Sequence, residues 1–278
     1  MALSFVPTPL GNLRDVTLRA LDVLRGAHLI VAEDSRVTRR LLNALEIGSK
    51  EIWTYHEHNA AATTAAILER ARDALVAVVT DAGTPGISDP GSALVAAARA
   101  EGIGVEVLPG PAAFVCAAVL SGFALRPLVF AGFPPRTSAA RRAAFRAAFS
   151  AATVWYEAPH RIRASLADLA AAAPERRVFL VRELTKLHEQ QLLGTAAEIA
   201  AALADPVRGE IAFVVEGDGR APEQTHAAAD VDAAIDGLLA EGLATSAIAK
   251  RLAERGLGER RHLYARATLR RGGGAAPG

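Results

Sequence analysis

Cysteine is nearly absent: Cys116 is the only one in 278 residues. A lone thiol excludes a disulfide framework and a cysteine-built metal cluster. Its neighbours Phe114, Val115, Ala117 and Val119 make it a buried helix position. Long apolar runs are also missing. None is long enough to span a membrane, and residues 1–7 carry neither the basic start nor the extended apolar core of a secretion signal. The expectation is a soluble, cytoplasmic protein. The common phosphate loops are absent too, both Gly-x-Gly-x-x-Gly after the first strand and Gly-x-x-x-x-Gly-Lys-Ser/Thr anywhere, which argues against a Rossmann dinucleotide site and a P-loop nucleotidase. What is present is apolar material, 51% of the chain, enough for sizeable cores and two domains of ordinary size.

An excess of charge of one sign is lacking only in the sum. The formal net charge is +1, whereas residues 126–188 hold eleven Lys/Arg against four acids and residues 248–271 hold eight against two. Such segregation fits a polyanion partner for the second half of the chain, and it equally fits solvated helix faces.

Strand-like and helix-like stretches alternate. Apolar, often β-branched runs at 3–6, 29–32, 76–80, 105–108, 129–131, 154–156, 178–181 and 211–215 predict strands. Amphipathic stretches at 18–24, 38–45, 60–74, 92–99, 112–120, 138–149, 162–169 and 196–203 predict helices between them. This is an α/β pattern, parallel at least in its first half. Breaks at 121–127 and 217–222 divide the chain into residues 1–123, residues 124–219 and a helical extension over 228–271. The last residues, 272–278, are expected to be disordered.

The loops after the predicted strands carry the chemistry. Asp81-Ala82-Gly83-Thr84-Pro85-Gly86-Ile87-Ser88-Asp89-Pro90-Gly91 follows the run at 76–79, Pro7-Thr8-Pro9-Leu10-Gly11-Asn12-Leu13 follows the first strand, and Pro109-Gly110-Pro111 follows the fourth. In a parallel sheet these loops share one rim, where open α/β sheets bind ligands. Glycine lets backbone approach a ligand closely and proline holds the loop in shape beforehand. With few free N–H groups, such a rim suits a flat, mostly uncharged moiety such as adenosine better than a triphosphate. Glu33-Asp34-Ser35-Arg36 reads either as a helix cap with a local salt bridge or as the mouth of a cleft. Tyr55-His56-Glu57-His58-Asn59 lacks a third metal ligand at suitable spacing, so it reads as a polar lid or substrate contact and no metal is expected. Glu157, His160, Arg161, Glu183 and Lys186 stand at later strand ends; Glu183 and Lys186 also fit a plain surface pair at i, i+3. Trp155 and Tyr156 alternate on their strand, so one faces the core. Arg136 and a helix with Arg141, Arg142 and Arg146 opposite Phe145 and Phe149 suit phosphate contacts.

In order along the chain, Thr8–Leu13, Ala32–Arg36, Tyr55–Asn59, Asp81–Gly91, Pro109–Pro111, Tyr156–Arg161 and Glu183–Lys186 resemble the small-subunit ribosomal RNA (cytidine-2′-O)-methyltransferases of the tetrapyrrole methylase superfamily. The likeness runs through residues 5 to 217, with Ser35 where threonine is usual, Leu10 for isoleucine and Pro7 for a small residue. It implies a two-domain class III methyltransferase fold with a small helix-turn-helix-like extension, S-adenosylmethionine (SAM) in the cleft, and a homodimer. The reaction it implies is methylation of a cytidine 2′-hydroxyl in 16S ribosomal RNA near the decoding centre, with the small ribosomal subunit as partner and no DNA. SAM then falls to Pro9, Leu10, Asp81, Gly83, Thr84, Pro85, Ile87, Gly110, Pro111 and Ala112, with Tyr156 and Ala212 from the second half. RNA falls to Arg36, His56, His58, Asn59, Arg136, Arg141, Arg142 and Arg146, with the basic 248–271 stretch as a further contact. The hydroxyl must shed a proton as it attacks, which calls for a base or a charge stabiliser. Lys186 and Glu183 are the first candidates, Glu157 and Arg161 the next; the lysine would steady a developing alkoxide, or act as base if burial lowers its pKa. Two rivals stay open: a SAM-dependent methylase of a small molecule such as a tetrapyrrole, and a nucleic-acid regulator built around the helical tail.

Overall fold

Two five-stranded sheets and a separate trio of helices make up the described chain, residues 2–56, 59–88, 91–218, 228–255, 257 and 260–273 of a computed structural model. It divides into two units, Met1–Asp218 and Gly219–Gly278. The first sheet is wholly parallel: β1 (Ala2–Phe5), β2 (Leu29–Ala32), β3 (Glu51–Thr54), β4 (Val76–Val79) and β5 (Gly104–Val107), in the order β3-β2-β4-β1-β5. Leu3, Phe5, Val31 and Val78 pack on Ile67 and Leu68 of α3 (Ala60–Asp73) and Leu94 of α4 (Ser92–Ala100). On the other face Ile30, Ala32, Ala77 and Val79 meet Leu24 of α1 (Leu18–Gly26) and Leu42 of α2 (Ser35–Ala44). Burial on both faces is why these strands read as unbroken apolar runs. Because β4, β1 and β5 are neighbours, their three Pro/Gly loops leave the sheet side by side.

The second sheet is mixed: β6 (Leu128–Phe130), β7 (Ala152–Glu157), β8 (Arg177–Arg182), β9 (Gln190–Thr195) and β10 (Ile211–Val215), in the order β6-β7-β10-β8-β9. β6 runs parallel to β7, and β10 lies antiparallel to both β7 and β8. One face packs on α6 (Ser138–Ala147), α7 (Ile162–Ala172) and α8 (Ala196–Ala202) around Phe145, Trp155, Leu166 and Phe213. The other receives α5 (Ala113–Ser121), whose small Ala117 and Ala118 sit against Val154, Phe179, Ala212 and Val214. So α5 leaves the first sheet in sequence and packs on the second, which joins the two; Gly122, at φ +66, ends it in the left-handed conformation glycine favours.

Two strands escaped the sequence reading. β3 and β9 are edge strands, and each carries only two adjacent apolar residues, Ile52-Trp53 and Leu192-Leu193, too short a run to stand out from its surroundings. Helix α2 starts at Ser35, three residues before the predicted helix, because the Asp34 carboxylate accepts the Arg36 N–H and caps it.

In the second unit α9 (Ala228–Ala240), α10 (Thr245–Glu254) and α11 (Arg260–Gly273) enclose a core of Ile235, Ile248, Leu252 and Leu263. Asp232 and Asp236 of α9 pair with Arg266 and Arg270 of α11. Part of the charge expected to serve a polyanion is thus neutralised within the unit. The predicted disorder at 272–278 fails at Gly272 and Gly273, which close α11; residues 274–278 lie outside the described residues.

Candidate active site

The three rim loops are fastened to one another. Thr8 and Gly83 exchange backbone hydrogen bonds of 2.9 and 3.0 Å, and the buried Thr8 hydroxyl donates to the Thr80 carbonyl at 3.1 Å. Thr84 Oγ1 donates to the Pro111 carbonyl at 2.8 Å, which ties the second loop to the third. Gly110 lies so close to Pro7 that a Cβ there would stand 2.6 Å from the proline ring. Gly83 adopts φ +85, conformationally natural to glycine. Below them the Thr80 hydroxyl donates to Glu33 Oε2 at 2.6 Å, and Asp81 Oδ1 accepts the Asp34 N–H. Glu33 and Asp34 therefore brace the loop after β4 from beneath.

These loops form one wall of a cavity of about 360 Å³ whose other wall is the second sheet. Of the residues assigned to SAM, Leu10, Gly83, Thr84, Ile87, Ala112, Tyr156 and Ala212 line it. Pro9, Asp81, Pro85, Gly110 and Pro111 do not; they stand within the same loops, one or two residues away, and shape them. Tyr156 and Val181 flank Ala212 in register on the neighbouring strands, so the three form a continuous floor. The Tyr156 hydroxyl accepts the Phe114 N–H at 3.0 Å. No side chain of the α5 N-terminus itself caps that helix, so the second sheet provides the cap from outside. Sequence reasoning missed Phe114, Phe133, Leu184 and Glu210, which also line the cavity. Phe133 stands three residues before Arg136, and Glu210 comes to the wall only through the pairing of β10 with β7 and β8.

The catalytic candidates separate. Glu157 lines the cavity but is 2% exposed and fully engaged: it accepts the Ala158 N–H at 2.8 Å and the Ser165 hydroxyl at 2.5 Å, and lies 3.4 Å from Arg161 Nε. Arg161 donates to the Pro134 and Pro135 carbonyls at 2.6 and 3.2 Å, so both residues are structural braces for the 132–135 loop. Glu183 and Lys186 stand beside the cavity. Lys186 Nζ bridges Glu183 at 2.8 Å and Glu210 at 3.0 Å, and Glu183 Oε1 also accepts the Glu210 N–H. Partial burial opposes the lysine's charge, but hydrogen bonds to Glu183 and Glu210 outweigh it and raise its pKa. A lowered pKa, which a lysine base requires, is therefore contradicted. Burial likewise opposes ionisation of Glu183, and bonds from Lys186 and the Glu210 N–H prevail and hold its carboxyl below the ordinary range.

This cluster is packed tightly. Glu183 and Thr185 both adopt positive φ, +55 and +66, an uncommon conformation for residues with side chains and one that concentrates at functional sites. A Cβ at Gly209 would fall 2.4 Å from the Glu183 carboxylate, and one at Gly11 would fall 2.2 Å from Lys186 Cγ. Thr185 Oγ1 accepts the Asn12 N–H at 3.2 Å. The first and last loops of the site thus meet here.

The residues assigned to RNA are scattered in standing. Arg136 and Arg146 are exposed, and Arg142 is partly so, 3.7 Å from Asp168. Arg141 is a correction: it is 5% exposed and paired with Asp168 of α7, which the Ser138 hydroxyl also meets at 2.6 Å. It pins α6 to α7 and offers nothing to a phosphate. Arg36 is exposed and folds back on Asp34. The Asn59 side chain accepts the His56 N–H and donates to the Thr54 carbonyl, closing the turn before α3. His56 is half-buried; His58 and Glu57 lie outside the described residues.

Residues 2–200 match the family of tetrapyrrole (corrin/porphyrin) methylases. A protein of Micromonospora olivasterospora named ribosomal RNA small subunit methyltransferase I is 44% identical over 246 residues, 87% of this chain and 76% of its own. Proteins of the same name from Streptococcus pyogenes serotype M1 and Synechocystis are 41% and 38% identical, over 83% and 94% of this chain and 81% and 95% of theirs. The chain belongs to the ribosomal RNA small subunit methyltransferase I family of tetrapyrrole methylases. The crystal structure of a diphthine synthase has the same fold, with a TM-score of 0.61 at 16% identity over 78% of this chain and 90% of that one. The sequence-based reading of the fold class holds.

Proposed function

We propose that the chain transfers a methyl group from SAM to the ribose 2′-hydroxyl of a cytidine in 16S ribosomal RNA of the small subunit, near the decoding centre. The observation that carries the reading is the cavity: nucleoside-sized, walled by three interlocked Pro/Gly loops, floored by Tyr156 and Ala212, and bordered by a loop leading into the basic helix α6. Its residues fit the donor. Leu10, Ala112, Ala212 and the Tyr156 ring give a flat apolar slot, and Gly83 at φ +85 brings backbone to its edge, where a Cβ would crowd Leu10 at 3.1 Å. Bound there, SAM supplies a methyl group activated by its sulfonium charge.

The protein's own residues then handle the acceptor. Two carboxylates line the cavity among the described residues, Glu157 and Glu210. Glu157 is fully engaged, so Glu210 takes the hydroxyl proton on its carboxylate while Lys186, held charged by Glu183, fixes that carboxylate in place. Positioning of the hydroxyl against loops fastened to one another supplies the rest of the acceleration. We place the protein in the cytoplasm with its substrate and as a homodimer. Val115, Val119 and Leu120 on α5, Val107 on edge strand β5, and Leu128 and Val129 on edge strand β6 are exposed apolar side chains suited to a second copy.

Incubation of the protein with unmodified small subunits and labelled SAM, followed by mass spectrometry of the RNA nucleosides, should yield 2′-O-methylcytidine. Label appearing on free tetrapyrrole and not on RNA would overturn the reading. Thr84→Arg, which fills the slot, should abolish SAM binding in calorimetry.

A further inference from the structure

We propose that Phe133 is the platform on which the base of the target nucleotide stacks, an inference that rests on the RNA reading above. Phe133 lines the cavity, yet 52% of its surface is open to solvent. Its backbone is rigid: Pro134 and Pro135 follow it, and Arg161 and the buried Arg141 together donate to the carbonyls of Pro134, Pro135 and Arg136. Behind the ring stands Tyr156, centroids 5.9 Å apart at 67°, and behind Tyr156 stands Phe130 at 5.0 Å. The platform is therefore fixed before any ligand arrives. Three residues beyond it is the exposed Arg136, and α6 then brings Arg142 and Arg146. A nucleotide whose 2′-hydroxyl enters the cavity must leave its own stack, and an aromatic face beside phosphate-binding arginines is the chemistry that receives an unstacked base.

The test compares Phe133→Leu, Phe133→Tyr and the unaltered protein in binding to unmodified small subunits by filter retention, with SAM affinity measured by calorimetry on the same preparations. Leucine keeps apolar bulk and removes the ring. Phe133→Leu should weaken subunit binding about 10- to 100-fold, the size expected for one base–aromatic stack. Phe133→Tyr should stay within about threefold of the unaltered protein, since its ring also stacks. SAM affinity should be unchanged in both, which also reports an intact fold. Subunit binding by Phe133→Leu equal to the unaltered protein overturns the platform, and so does a loss of SAM affinity instead, which would assign the ring to the donor. If the unaltered protein fails to methylate subunits, the proposed function falls and this inference with it; if it methylates them while Phe133→Leu binds normally, only the platform falls.

Discussion

The carboxylate at position 157 is committed to partners within the fold. Its two oxygens already receive a backbone N–H, a serine hydroxyl and the Arg161 guanidinium in a buried setting. Glu157→Gln should therefore act on stability, costing about 1.5–3 kcal/mol in denaturant unfolding for weakened bonds to a charged group. Glu210, with its side chain 71% exposed at the cavity wall, is the opposite case. Glu210→Gln should leave the unfolding midpoint nearly unchanged and lower single-turnover methylation about a hundredfold, within the usual span for a lost general base. Equal effects of the two substitutions on turnover would remove the distinction. Lys186 is tested by pH. Its folded pKa is raised, so its contribution to stability is present below the ordinary lysine value and is lost as pH climbs past the raised one. Glu183 is depressed, so its contribution is present above the ordinary carboxylate value and is lost as pH falls through the lowered one. The stability difference between the unaltered protein and Lys186→Met should therefore be flat from about pH 6 to 9 and shrink below about pH 4. A difference that varies across neutrality would mean a lysine that deprotonates there.

Elements assemble the site through contacts that cross from one sheet to the other. Tyr156, a strand residue of the second sheet, caps α5, which grows out of the first sheet's last loop. Tyr156→Phe keeps the floor and removes the cap; it should cost about 1 kcal/mol of stability and weaken SAM binding severalfold in calorimetry, as the loop before α5 loosens. Unchanged SAM affinity would show that the cap does not hold the loop. Much at this scale was legible in the sequence. Eight strands announced themselves by apolar, often β-branched runs, six of them buried along most of their length, and the three rim loops were recognisable because proline and glycine cluster where strands end. What stayed hidden depends on long-range pairing. The edge strands β3 and β9 carry only two adjacent apolar residues each, too few to show a pattern. The crossing of α5 to the second sheet leaves no local trace, and Glu210 meets Glu183 only because β10 inserts between β7 and β8. Arg141 was misread for the same reason: a basic residue on a helix reads as solvent-facing until Asp168 arrives from α7 to neutralise it.

At the scale of the whole molecule, the uneven charge separates into two kinds of arginine that one experiment can tell apart. Net charge over residues 126–188 counts Arg141 and Arg146 alike. The fold buries the first against Asp168 and leaves the second exposed on α6. A contact to phosphate releases counterions, so the logarithm of the subunit binding constant should fall linearly with the logarithm of salt concentration. Removing one contact flattens that line by about 0.7–0.9, according to whether the RNA there is single- or double-stranded. Arg146→Ala and Arg142→Ala should each flatten it by about that amount and leave thermal stability nearly intact. Arg141→Ala should leave the slope unchanged and instead destabilise the fold by about 3–5 kcal/mol, because Asp168 is then buried without its main partner. Replacing Asp168 as well should return part of that loss, since the orphaned charge goes with it. A slope indifferent to Arg142 and Arg146 would place the RNA on another face, and a slope that responds to Arg141 would mean that α6 and α7 part when the subunit binds.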